Sequence, residues 1–148
     1  MIYIVTGTPG TGKTTFAKKL AEEEGFEYVD GNNVIDKNNL GEGVDEENSI
    51  IVDEEKFADA CKKIIQNLES QGKNAVIDSH LSLYIDPEYV DKCYVTVCEL
   101  KELKKRLKAR KYSTKKIRDN LDAEIFKVCE NDAKEKGHKI KIIDTSSK

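Results

Sequence analysis

Residues 7–15 read Gly7-Thr8-Pro9-Gly10-Thr11-Gly12-Lys13-Thr14-Thr15 and satisfy the phosphate-loop pattern G-x-x-x-x-G-K-S/T in full. The flanks agree with it. Ile2-Tyr3-Ile4-Val5 predicts a short buried strand before the loop, and Phe16, Ala17, Leu20 and Ala21 recur at helical spacing after it. Gly10 and Gly12 permit backbone conformations that a Cβ would forbid, so successive N–H groups converge on one concavity. A helix starting near Lys13 adds its positive end, and the Lys13 ammonium reaches toward the β- and γ-phosphates. Thr14 is placed to ligate Mg²⁺ and Thr15 to touch the α-phosphate. Gly10, Thr11, Gly12, Lys13, Thr14 and Thr15 are therefore the expected contacts of a nucleoside triphosphate bound with magnesium.

A chain of 148 residues makes one domain, 1–148, with room for a real core. No apolar run approaches the length of a membrane span and the N-terminus enters a strand at once, so neither a membrane partner nor a signal peptide is expected. Cys61, Cys93, Cys98 and Cys129 form no C-x-x-C pair, and only His80 and His138 could join them at a metal. Reduced, mostly buried thiols in a cytoplasmic protein are the expectation. The net charge of −3 conceals an asymmetry: residues 21–60 carry 14 Asp/Glu against Lys37 and Lys56, and residues 99–118 carry 10 Lys/Arg against Glu99 and Glu102. The only three arginines, Arg106, Arg110 and Arg118, lie within that basic stretch. Arginine's fixed fork binds phosphate in a bidentate way that lysine cannot imitate. Arg106 and Arg110 are thus expected phosphate contacts, with the neighbouring lysines as solvated charge.

Along the chain, Gly25 ends the first helix and Phe26-Glu27-Tyr28-Val29 alternates as a second strand. Asp30-Gly31-Asn32-Asn33 leads into a short, weak helix. From Gly41 to Glu55 no helical period holds, and Ile50-Ile51-Val52 is the only apolar anchor of an acidic segment. Asp53 is a plausible N-cap for a helix whose stripe is Phe57, Ala60, Cys61, Ile64, Ile65 and Leu68. Ala75-Val76-Ile77 is a buried strand ending in Asp78-Ser79-His80. An acidic residue at the carboxyl end of a parallel strand beside a phosphate loop is where a magnesium–water ligand belongs, so Asp78 is read as that ligand rather than a turn aspartate. His80 is either a structural histidine or one that faces the γ-phosphate and orients a water. Tyr94–Val97 is a further strand. Leu100, Leu103 and Leu107 predict a helix on which Arg106 and Arg110 share one face. After a brief break, Ser113 or Thr114 caps one helix that carries Ile117, Leu121, Ile125 and Val128 at core spacing and stops before Gly137. Residues 139–143 form the last strand. Five strands alternating with helices predict an α/β fold of the P-loop NTPase type, a five-stranded parallel sheet with helices on both faces and ligand at its carboxyl edge.

These motifs together resemble the adenylate kinase isoenzyme 6 family, nucleotide kinase-like ATPases of small-ribosomal-subunit assembly. Gly7–Thr15 resembles its G-T-P-G-x-G-K-T-T loop. Gly43-Val44-Asp45-Glu46-Glu47 and Val52-Asp53-Glu54 are similar to its G-Y-D-E-E and L-D-E-D segments. Residues 76–80 match its V-D-x-H motif, an aspartate with a histidine, and residues 106–112 resemble R-L-x-x-R-G-Y with Lys111 in place of the glycine. Asn120 with Ala123-Glu124-Ile125-Phe126 resembles N-I-x-x-E-I-F. The resemblance implies a nucleoside monophosphate kinase-like fold with an acceptor cap at about residues 30–55 and a very short lid at about 110–114. It also implies ATP and Mg²⁺ as cofactors, ATPase and adenylate kinase activity, and binding to a small-subunit ribosomal protein. The family continues into a C-terminal helix over the sheet, whereas this sequence stops at Lys148. Either a truncated sequence, or a partner or neighbouring copy over that face, is expected.

Three functions follow for weighing. An adenylate kinase would pass the ATP γ-phosphoryl group to AMP, with Lys13, magnesium on Thr14, Arg106 and Arg110 stabilising the transition state. Against it, the cap offers an AMP phosphate only Lys37. An assembly factor would use ATP turnover to switch affinity for a basic ribosomal protein, with His80 orienting water. A shikimate- or gluconate-type kinase calls for a strong cation near the acceptor, and none lies outside the lid. The adopted reading is the assembly factor with weak adenylate kinase activity. Glu42, Asp45, Glu46, Glu47, Asp53, Glu54 and Glu55 repel nucleotide phosphates and RNA, so no nucleic-acid site is expected, and the segment is read as the dock for the basic partner. Changing Asp45, Glu46 and Glu47 together to lysine is the matching test.

Overall fold

The computed structural model describes residues 1–47 and 49–146. In chain order these form Ile2–Gly7 (β1), Lys13–Glu24 (α1), Glu27–Asp30 (β2), Gly31–Lys37 (α2), Gly41–Val44 (β3), Ile50–Val52 (β4) and Glu54–Ser70 (α3). There follow Ala75–Asp78 (β5), Lys92–Val97 (β6), Leu100–Ala109 (α4), Thr114–Ile125 (α5), Val128–Glu135 (α6) and Ile140–Asp144 (β7), with 3-10 turns at Ser82–Tyr84 and Pro87–Tyr89. Five strands make one wholly parallel sheet in the order β2-β5-β1-β6-β7.

β1 shows why the sheet must be covered twice. Its side chains alternate between faces. Ile2 and Ile4 join Phe57, Cys61 and Ile65 of α3 on one side, and Tyr3 and Val5 join Ala17 and Ala21 of α1 on the other. A third, smaller cluster of Cys98, Leu103, Leu107 and Ile117 binds α4 to α5. Phe57, Ile65, Leu103 and Leu107 are fully buried, and each such side chain contributes about 1.5–3 kcal/mol. The predicted parallel sheet with helices on both faces is the observed one.

Local signals set several boundaries. Asp53 caps α3 by accepting from the N–H groups of Glu55 and Lys56, and the Ser113 hydroxyl caps α5 by accepting from Lys116 N–H. α4 ends with Lys111 at φ 61°, where Lys111 N–H donates to Lys108 O and Tyr112 N–H to Leu107 O. That pattern is a Schellman stop.

Segment 41–55, for which no helical period is expected, holds an antiparallel hairpin, β3 with β4, in register Gly41↔Val52 and Val44↔Ile50. One expectation is corrected. The helix expected to run from Ser113 to before Gly137 is two helices, broken where Lys127 takes φ 53°. The break turns Ala133 into the core and leaves Ile125, Phe126 and Val128 exposed, so the core spacing read across it holds only for Ile117 and the half-buried Leu121. Cys61, Cys93 and Cys98 are buried, Cys129 is half-buried, and all four are free thiols. Among the described residues no helix is long and apolar enough to cross a membrane.

Candidate active site

The phosphate loop leaves β1 and enters α1 through two left-handed glycines. Gly10 has φ 92°, and a Cβ there would meet Leu103 Cδ1 and Leu107 Cδ2 at 2.9 Å. Gly12, at φ 86°, stands immediately before the helix. No side chain caps α1 and its first turn holds no acidic residue, so its leading N–H groups are open to an anion. Lys13 Nζ donates to Gly7 O at 3.0 Å. Dense surroundings pull the Lys13 pKa down to about 8, with Arg110 assisting and Cys129 and Asp78 opposing. Thr11 has a different task from its neighbours. It is buried, with Oγ1 donating to Thr8 O at 2.6 Å and lying 2.8 Å from Thr96 Oγ1, so it holds the loop's shape.

Parallel pairing of β1 with β5 sets Val5 against Asp78 and so brings the carboxylate to the loop. Asp78 Oδ2 accepts from Thr14 Oγ1 at 2.8 Å and from Tyr28 Oη at 2.6 Å. Burial, and then the bond to Asp78, push the Tyr28 phenol above its ordinary value, so it stays a donor. Tyr28 was read from the sequence only as an alternating strand residue. The signal is in the strand order, which places β2 directly beside β5. His80 stands exposed in the mouth of the site, while protein crowds its other sides. That crowding, with Lys13 added, pulls the ring down to about 4 and keeps it neutral at pH 7.

The two arginines part company. Arg106 donates from Nε to Glu102 at 3.0 Å, and its two terminal nitrogens donate to Gly10 O, Thr145 Oγ1 and Thr145 O. Its fork therefore ties α4 to the loop and to the chain after β7, and the expected pairing of Arg106 with Arg110 over the phosphates is not what the structure brings together. Arg110 does line the cavity with Lys13.

That cavity has a volume of about 380 Å³. Its floor is Gly10, Gly12, Lys13, Thr14 and Thr15, with Asp78 and His80 beside them. The remaining lining is Asp30, Asn32 and Ile35 with Ser49, Ile50 and Val52 of the hairpin region, and Arg110, Tyr112 and Lys116 from the end of α4 to the first turn of α5. A larger hollow of about 540 Å³ near the α5–α6 break is mostly apolar and is not lined by Lys13, Thr14 or Asp78. Convergent polar groups mark a site better than size does, so the chemistry belongs to the first.

The same fold recurs in shikimate kinase from Acinetobacter baumannii, with a TM-score of 0.56 at 20% identity over 98% of this chain and 83% of that one. Deoxyadenosine kinase from M. mycoides gives 0.57 at 12% identity over 97% and 91%. Fold and loop together define a P-loop protein of the small-kinase type. Residues 4–127 match the family described as AAA domain. A provisionally named adenylate kinase of Thermococcus onnurineus is 36% identical over all of this chain and 77% of its own length. Homologs of adenylate kinase isoenzyme 6 from Caenorhabditis elegans and Schizosaccharomyces pombe are each 35% identical over 89% of this chain, covering 71% and 73% of theirs. The chain belongs to the adenylate kinase isoenzyme 6 family.

Proposed function

We propose that the chain transfers the γ-phosphoryl group of ATP to AMP, giving two ADP, and hydrolyses ATP slowly when no acceptor is bound. The observation that carries this reading is a single cavity with the phosphate loop on one wall and the cap on the other. Donor and acceptor would meet there in line, and phosphoryl transfer needs positioning and charge stabilisation more than covalent chemistry. Lys13 and the open N-terminus of α1 hold the donor phosphates, and Arg110 meets charge that develops on the transferring group. The Thr14 hydroxyl and Asp78 carboxylate converge within 2.8 Å of each other, an oxygen pair that suits a magnesium ion. Such an ion, when bound with the nucleotide, neutralises phosphate charge. A neutral His80 accepts a hydrogen bond from water and orients it in the hydrolytic branch.

The test is ADP formation from ATP with and without AMP. Lys13→Ala should reduce both rates to background while far-ultraviolet circular dichroism stays unchanged. ADP formation that does not respond to AMP would remove the transfer reading and leave an ATPase.

A second reading, action in small ribosomal subunit assembly through a basic ribosomal protein, is supported by the exposed acids Glu42, Asp45, Glu46, Glu54 and Glu55 around the cap. Asp45 and Glu47 are poor probes of it. Asp45 accepts from the N–H groups of Glu47 and Ser49 to shape the turn, and Glu47 pairs with Lys115 at 3.2 Å. Glu46→Lys with Glu55→Lys should slow association with such a protein and flatten its salt dependence, because exposed charges are screened over about 10 Å at 0.1 M salt. Unchanged association, or no partner-stimulated phosphate release by the parent chain, would remove this reading. Four free thiols suit a cytoplasmic setting.

A further inference from the structure

The cap's shortage of cations leaves an acceptor phosphate unmatched, and Lys37, its one candidate, does not line the cavity. The basic stretch after β6 divides by partner. Arg106 is committed to Glu102, Gly10 O and Thr145, and Lys115 to Glu47 and Asp119. Lys116 makes no ion pair among the described residues, is half-buried, lines the cavity, and rests its ammonium 4.1 Å from the centre of the Tyr112 ring. The aromatic face holds the ammonium in place while leaving its N–H donors available.

Position decides which phosphate it meets. Lys115, the preceding residue, bonds Glu47 in the turn of the cap hairpin. The Asp45 carboxylate in the same turn is held below its ordinary value first by Ser49 N–H, and Lys116 and Lys115 add to that lowering. Lys116 thus lines the cavity near the hairpin turn, together with Asn32, Ser49 and the apolar Ile35, Ile50 and Val52, whereas Lys13 belongs to the phosphate loop.

We infer that Lys116, braced on Tyr112, binds the phosphomonoester of the acceptor and makes the site select a nucleoside monophosphate over an uncharged nucleoside or polyol. This rests on the transfer reading above and supplies from α5 the cation that the cap lacks. Loss of one charge-assisted contact made equally in ground and transition states raises KM and spares kcat.

Lys116→Gln should raise KM for AMP about tenfold and by clearly more than KM for ATP, and Lys116→Arg should restore most of the loss. Calorimetry supplies a readout independent of turnover: the parent should bind AMP more tightly than adenosine, and Lys116→Gln should erase that difference. If the parent binds AMP preferentially through Lys116 yet does not phosphorylate it, the transfer reading fails and the assignment of Lys116 stands. An unchanged KM and affinity for AMP in Lys116→Gln, equal rises for ATP and AMP, or a parent that binds adenosine as well as AMP would each overturn the inference.

Discussion

One oxygen of Asp78 accepts hydrogen bonds from both Thr14 and Tyr28, and two donors on a single atom fix the carboxylate's rotamer. The Tyr28 hydroxyl holds the carboxylate proposed as the magnesium ligand. Tyr28→Phe keeps the ring and its packing while removing the hydroxyl. It should raise the Mg²⁺ concentration for half-maximal turnover by about tenfold, the scale seen when a ligand's outer partner is lost. Manganese binding to the nucleotide complex, followed by paramagnetic resonance, should weaken in parallel. An unchanged metal requirement would make the Tyr28 contact merely structural. The place of Asp78 beside the loop was legible in the sequence because it ends a buried strand of the same parallel sheet as the strand that carries the loop. Tyr28 and Arg106 were not. Tyr28 becomes a neighbour of Asp78 only once β2 pairs with β5, and Thr145 reaches Arg106 only after β7 has paired with β6. Arginine's preference for phosphate is real, but a fork accepts any well-placed oxygens, and here backbone carbonyls are among them.

At the level of elements, propensity and capping were readable wherever the signal is local. Ser113 and Asp53 start their helices as polar residues ahead of apolar stripes do. The stop between α5 and α6 was not readable, since lysine carries no mark of a left-handed turn. Lys127 hides the α5–α6 break in this way. Lys111 ends α4 at the break expected there, and its geometry explains why the resembling family has glycine at that position: a Cβ at φ 61° is crowded by the following carbonyl. Lys111→Gly should therefore stabilise the fold by about 1 kcal/mol, less the extra freedom glycine gives the unfolded chain. A thermal melt should move up by about 2–4 °C per kcal/mol gained. No rise, or a fall, would mean that the Lys111 side chain makes favourable contacts outweighing the strain.

For the molecule as a whole, the parallel sheet decides what can meet at its carboxyl edge, and α5 decides how those parts hold together. Near its end, Glu124 accepts from Thr8 Oγ1 of the phosphate loop at 2.9 Å and from Cys98 N–H ahead of α4 at 2.9 Å. The sequence offered Glu124 only as part of a family signature, with no chemistry attached, because both partners are remote along the chain. Glu124→Ala orphans a buried hydroxyl and a backbone N–H, so it should cost about 2–3 kcal/mol of stability and weaken ATP binding, read by denaturant titration and calorimetry. Stability lost with ATP affinity intact would confine Glu124 to holding α4 and α5 together. Two and a half turns before Glu124, about 13.5 Å along the axis, the same helix presents Lys115 to the hairpin. α5 is thus a rod anchored at one end to the cap and at the other to the loop. Such a rod predicts that a ligand drawing on the hairpin would load Thr8, and that one stiffening the loop would steady the hairpin. Occupancy at the two ends is then linked, and linkage is reciprocal: if AMP tightens ATP by some factor, ATP must tighten AMP by the same factor, whichever arrives first.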